Sequence, residues 1–80
     1  MVQVLFFSQA RSAVGLSEIS LTLEEAPDAS HLWRCLVDRF PKISTIRETS
    51  RLARNCEFLQ GNECFSDGDE IAIIPPVSGG

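Results

Sequence analysis

One helix-forming stretch decides which architectures are open to this chain of 80 residues. From Asp28 to Phe40 the apolar residues Ala29, Leu32, Trp33, Leu36, Val37 and Phe40 recur three and four positions apart. That spacing lines them along one stripe of an α-helix. Asp28 is placed to cap it, because a carboxylate there can accept from the free N–H groups of the first turn. Pro41 stops it, since proline donates no N–H and disfavours a helical residue before it. A stripe of this length must be buried, and the rest of the chain offers strands rather than a second long helix as its cover.

Those strands can be read from alternation and turn residues. Val2–Ser8 is apolar on both sides, with Val2, Val4 and Phe6 on one and Leu5 and Phe7 on the other. A short helical turn is expected at Gln9–Val14, closed by Gly15. Glu18–Glu24 alternates, with Ile19, Leu21 and Leu23 inward. Ile43–Leu52 reads both ways, with a hint of a short helix. Cys56–Leu59 reads as a strand, with a turn at Gln60–Glu63 and brief pairing at Cys64-Phe65. Ser66-Asp67-Gly68-Asp69 is a turn, and Glu70–Ile74 a strand ended by Pro75. The order strand, strand, helix, strand, short strand, strand leaves the first and last strands free to lie side by side. This predicts an α+β, ubiquitin-like roll, a mixed sheet of four to five strands packed on one main helix. The domain is expected over residues 1–74, with 75–80 as an extended, flexible tail.

Composition narrows the functions. Seven basic against eleven acidic residues give a net charge of −4 with no basic cluster, which argues against nucleic acid as a partner. One His, no Tyr and so small a core leave little room for a self-contained active site. His31 is expected on the surface. Cys35, Cys56 and Cys64 have neither zinc nor redox spacing and read as reduced, mostly buried thiols, so no metal is expected. The apolar start carries Gln3 and no basic lead before Arg11, which does not resemble a signal peptide, and no window approaches a membrane span. A soluble, cytosolic protein with no membrane partner is expected.

Two features remain. A sheet covered by one helix should be polar on its other face. Here Leu5 and Phe7, with either Ile71 and Ile73 or Ala72 and Ile74, make that face apolar, as a partner surface would be. The second feature is the run Pro75-Pro76-Val77-Ser78-Gly79-Gly80. Two prolines favour an extended geometry, and two glycines let the backbone enter a channel too narrow for side chains. The reactive group there is the carboxylate of Gly80. It becomes an acyl donor only once activated, for example as an adenylate made from ATP.

The whole chain resembles the MoaD/ThiS group of ubiquitin-like sulfur carriers, and within it the small subunits of molybdopterin synthase. The resemblance rests on V-L-F-F-x-Q-x-R at Val4–Arg11, D-G-D-E-I-A at Asp67–Ala72 and I-P-P-V-S-G-G at Ile74–Gly80, while Arg34–Gly61 matches only in pattern. It implies a β-grasp fold and adenylation of Gly80 by an ATP-using activating enzyme, followed by conversion to a thiocarboxylate. The tail, guided by Pro75, Pro76, Val77 and Ser78 with Gly79 permitting entry, would then insert into a large catalytic subunit. There the sulfur would build the dithiolene on cyclic pyranopterin monophosphate. The resemblance further implies a heterotetramer docked through Phe7, Leu59 and Ile74, with no cofactor bound by the chain and the activity residing with the large subunit. Sulfur carriers for thiamin thiazole or tRNA thiolation, and a protein-conjugating modifier, are the alternatives. Iron–sulfur carriage fails for want of a fourth cysteine. Arg47, Arg51 and Arg54 read as a solvated segment, with an acidic partner as the alternative, and Asp67 and Asp69 read as turn formers rather than metal ligands.

Overall fold

In the computed structural model residues 1–76 are described. Strand β1 (Val2–Phe6) leads into a short helix α1 (Ser8–Val14), and β2 (Glu18–Leu21) returns antiparallel beside β1. The long helix α2 (Ala29–Arg39) follows, then a 3-10 turn (Pro41–Thr45), the hairpin β3 (Arg51–Arg54) and β4 (Glu57–Phe58), and finally β5 (Glu70–Ile74). The sheet order is β2-β1-β5-β3-β4, with β1 and β5 parallel at its centre and the other pairs antiparallel.

α2 forms where its stripe and its cap agree. Asp28 is extended and its carboxylate accepts from the His31 N–H at 2.9 Å, while Phe40 ends the helix before Pro41. The same carboxylate oxygen meets His31 Nδ1 at 2.8 Å, and His31 is exposed as expected. Ala29, Leu32, Trp33 and Leu36 press onto the sheet residues Val2, Val4, Phe6, Leu21, Leu52, Ile71 and Ile73. Phe6 meets Phe40 edge-on at 6.1 Å between ring centres. Each fully buried residue of this kind contributes roughly 1.5–3 kcal/mol over its exposed state. α1 adds Ala10 to the core and ends on Gly15 at φ +83°, the left-handed geometry that favours glycine.

Three expectations are corrected. β2 stops at Leu21 rather than Glu24. Thr22 and Glu25 form a reciprocal cap there: the Thr22 N–H donates to Glu25 Oε2 at 2.9 Å and the Glu25 N–H to Thr22 Oγ1 at 3.1 Å, which turns the chain. The Thr22 N–H is also the first cause of a Glu25 carboxyl held below its ordinary pKa. Second, the segment read as one strand over Cys56–Leu59 is a hairpin whose first strand is the unassigned R-L-A-R of β3. Asn55 and Cys56 turn it with φ of +51° and +74°, the twist a two-residue hairpin loop requires. Third, the cysteines are not mostly buried, since Cys56 and Cys64 are exposed and Cys35 half-buried; all three are free thiols. Past β5, Pro75 is buried and Pro76 exposed.

Candidate functional site

The sheet face opposite α2 is built by the alternate residues of every strand. Register places Gln3, Ser20 and Glu70 side by side in one row. The next row runs Glu18, Leu5, Ala72, Ala53 and Phe58 across all five strands. The third joins Ile74 to Arg51. Phe7 extends this third row beside Ile74, because its backbone stays extended (φ −121°, ψ 152°) after Phe6 pairs with Ile73. The face is thus polar along one margin and apolar through its middle to the end where β5 hands over to Pro75.

Exposure separates this surface from the core. Phe7 is 48% and Phe58 44% exposed, and Leu5, Ala72 and Ile74 are half-buried. Two aromatic rings left in water on so small a domain form an apolar patch that invites a partner. Arg51 lies on it, with its guanidinium carbon 3.8 Å from the centre of the Phe58 ring. This distance sets the cation over the ring, where the π-face attracts it.

The expected interface residues divide. Phe7 and Ile74 lie together on the open face. Leu59 does not: its N–H donates to the Leu52 carbonyl at 2.9 Å, continuing the ladder, and parity turns it with Leu52 to the α2 side, where it packs half-buried against the core. Phe58 occupies the open-face position instead. Sequence reasoning missed it because the parity of β4 depends on where the hairpin turns. The polar residue Glu57 beside an aromatic was the available signal. Pro75 and Pro76 follow directly from Ile74, whereas Val77, Ser78, Gly79 and Gly80 lie outside the described residues.

Several of the other charged groups serve the fold. Arg54, half-buried, donates to Glu63 Oε1 and to the Cys64 carbonyl, both at 2.7 Å, and ties the loop after β4 to the sheet. Arg39 pairs with Glu25 at 2.9 Å. Arg47 stands 6.0 Å from the Trp33 ring centre. Asp67 pairs with the Met1 amino group, whose hydrogen bond is the first cause of its lowered pKa, and Asp69 accepts from the Ser66 N–H at 2.8 Å to close the turn around Gly68. Among the described residues no group of three His, Cys, Asp or Glu could hold a metal ion, and no helix is long and apolar enough to cross a membrane.

The strand order, the parallel central pair and the single long helix across one face define a ubiquitin-like β-grasp. SAMP1 from Haloferax volcanii shares this fold at a TM-score of 0.83, with 23% identity and 99% and 98% of the two chains covered. A Helicobacter pylori chain, from a complex of subunits 1 and 2 of molybdopterin-converting factor, superposes at 0.72 with 25% identity, covering 99% of this chain and 97% of that one. The chain belongs to the ThiS family, whose pattern matches residues 4–80. Relatives named molybdopterin synthase sulfur carrier subunit include those of Chlamydomonas reinhardtii, 33% identical with 99% of this chain and 98% of that protein covered, and Drosophila erecta, 40% identical over 99% and 90%.

Proposed function

We propose that this protein is a sulfur carrier of molybdenum cofactor biosynthesis, working as the small subunit of a molybdopterin synthase. In this reading the Gly80 carboxylate attacks the α-phosphate of ATP on an activating enzyme, giving the acyl-adenylate and releasing pyrophosphate. Hydrosulfide supplied by a sulfur donor then attacks the carbonyl carbon, the C–O bond to AMP breaks, and a thiocarboxylate is left. Ionised near neutral pH, it is a soft and strong nucleophile where the carboxylate was a poor one. Phe7 and Ile74, joined by Phe58, dock the domain on a large catalytic subunit. Pro75 to Gly79 then lead the sulfur to cyclic pyranopterin monophosphate, where two rounds of transfer complete the dithiolene. The chain holds no cofactor in this scheme, and ATP belongs to the activating enzyme.

One observation carries the reading: the open face carries Leu5, Ala72 and Phe7 up to Ile74, the residue after which the Pro-Pro-Val-Ser-Gly-Gly segment follows in the sequence. A partner that covers the face therefore lies at the root of the tail. The names of the relatives and the two-subunit complex of the Helicobacter pylori neighbour support the same choice. The test is intact-mass analysis after incubation with an activating enzyme, ATP and a sulfur source, followed by the large subunit and the pterin precursor. An oxygen-to-sulfur exchange on Gly80 and formation of the dithiolene product are expected. Attachment of Gly80 to protein lysines with no dithiolene product would instead identify a modifier.

A further inference from the structure

We infer that Arg51 is the residue by which this domain selects its partner, and that the partner's docking surface sets a carboxylate against it beside the tail root. The inference rests on the functional reading above, because it names the chemistry of the surface that covers the open face.

The open face carries one cation in its register rows, and that cation sits in the least convenient place. Arg51 is paired across the ladder with Ile74 and lies over Phe58, so it occupies the apolar end of the face. Among the described residues its guanidinium makes no ion pair or hydrogen bond, whereas those of Arg39 and Arg54 do. The acidic residues of the same face, Glu18 and Glu70, stand away from it. Glu70 is at the far end of β5, about 13 Å along the strand from Ile74 at ~3.3 Å per residue, and Glu18 is on the opposite edge strand. The face therefore has its positive corner at the tail and its negative margin across the sheet, on a chain that is acidic overall.

A partner cannot cover Phe58, Ile74 and Phe7 without also covering the guanidinium that lies on the Phe58 ring. Burying that charge with no counter-ion carries a desolvation penalty far larger than the apolar contact returns. A carboxylate opposite it removes the penalty and converts the site into a two-bond, planar recognition of the arginine fork. Stacking on Phe58 has already restrained the fork, so less side-chain freedom is lost on docking. A neutral or basic patch at that position would instead be rejected, which makes the residue a discriminator rather than a general adhesive.

The test measures affinity of the full-length chain for the purified large subunit of molybdopterin synthase, with thermal melting as the folding control. Arg51→Met keeps an unbranched apolar stem over Phe58; it is expected to melt like the wild type and bind about 10- to 100-fold more weakly. Arg51→Lys should recover part of that loss and Arg51→Glu should lose about tenfold more than Arg51→Met. The wild-type affinity should fall with added salt more steeply than that of Arg51→Met. A lysine in place of the opposed acidic residue on the large subunit should restore binding of Arg51→Glu. Equal or tighter binding by Arg51→Met overturns the inference and leaves the carrier role standing. Absence of wild-type binding overturns the functional reading and the inference with it.

Discussion

Phe6 and Phe7 are neighbours in the chain and live in different solvents. Phe6 is 2% exposed, locked edge-on against Phe40 beneath α2, whereas Phe7 is 48% exposed on the other side of the sheet. The same contrast holds for Ile73 and Ile74, and for Leu59 and Phe58. One face of the sheet spends its apolar surface on folding, while the other keeps it exposed up to the end of β5. Apolar residues on both parities of a strand thus need not mean that both sides are core. In a five-stranded sheet with one long helix, only one side has a cover within the domain.

The comparison is tested most severely at the tail. Removing Gly80 should abolish sulfur transfer, read as thiocarboxylate by mass and as product formation, and leave the melting midpoint where it was, because a single terminal glycine adds little stability. A shortened protein that still supports product formation would break the assignment of Gly80. Next come the paired phenylalanines. Phe6→Ala should cost about 3–5 kcal/mol in denaturant unfolding, as large-to-small core changes do. Phe7→Asp should leave stability within about 1 kcal/mol of wild type and weaken large-subunit binding at least tenfold. Equal losses of stability and binding for Phe7→Asp would return that residue to the core.

The β4 pair sharpens the contrast further. Leu59→Ala should lower stability by about 1–2 kcal/mol, in keeping with half-burial, with little change in binding once folded. Phe58→Ala should do the reverse, and it should also free the guanidinium of Arg51. The smallest effect is expected at the α2 cap. The His31 N–H, first among its causes, holds the Asp28 carboxyl below its ordinary pKa. A carboxyl lowered in the folded state stabilises fully above its unfolded pKa of about 3.9 and loses that contribution as pH falls through the lower folded value. Asp28→Ala should therefore lower the melting midpoint by a few degrees at neutral pH, and the gap to wild type should close below about pH 4. Binding of the large subunit should be unaffected, since the cap is on the α2 side.

Legibility followed how local the determining physics is. α2 was read to within a residue because its stripe, its Asp28 cap and its Pro41 stop all lie within one stretch of sequence. β1, β5 and the Gly68 turn were legible for the same reason. β3 was not: Arg51-Leu52-Ala53-Arg54 has no strong strand preference and becomes a strand because β5 and β4 pair with it on either side. Its hairpin turns on Asn55 and Cys56 in left-handed geometry, which nothing in an isolated cysteine announces. Leu59, which only the family resemblance had proposed for the interface, is turned to the α2 side by that same hairpin, since shifting a strand by one residue moves every side chain to the other face.

The sequence by itself determined the class of fold and the inward set of β1, both of which depend on residue types at short spacing. Only the tertiary structure decided which residues of β5, β3 and β4 face outward, because parity is relative until a neighbouring strand fixes the register. It also brought Arg51, Phe58 and Ile74 together at the end of β5, next to Pro75. That juxtaposition joins residues from three strands, and it exists only after the sheet has closed around β5.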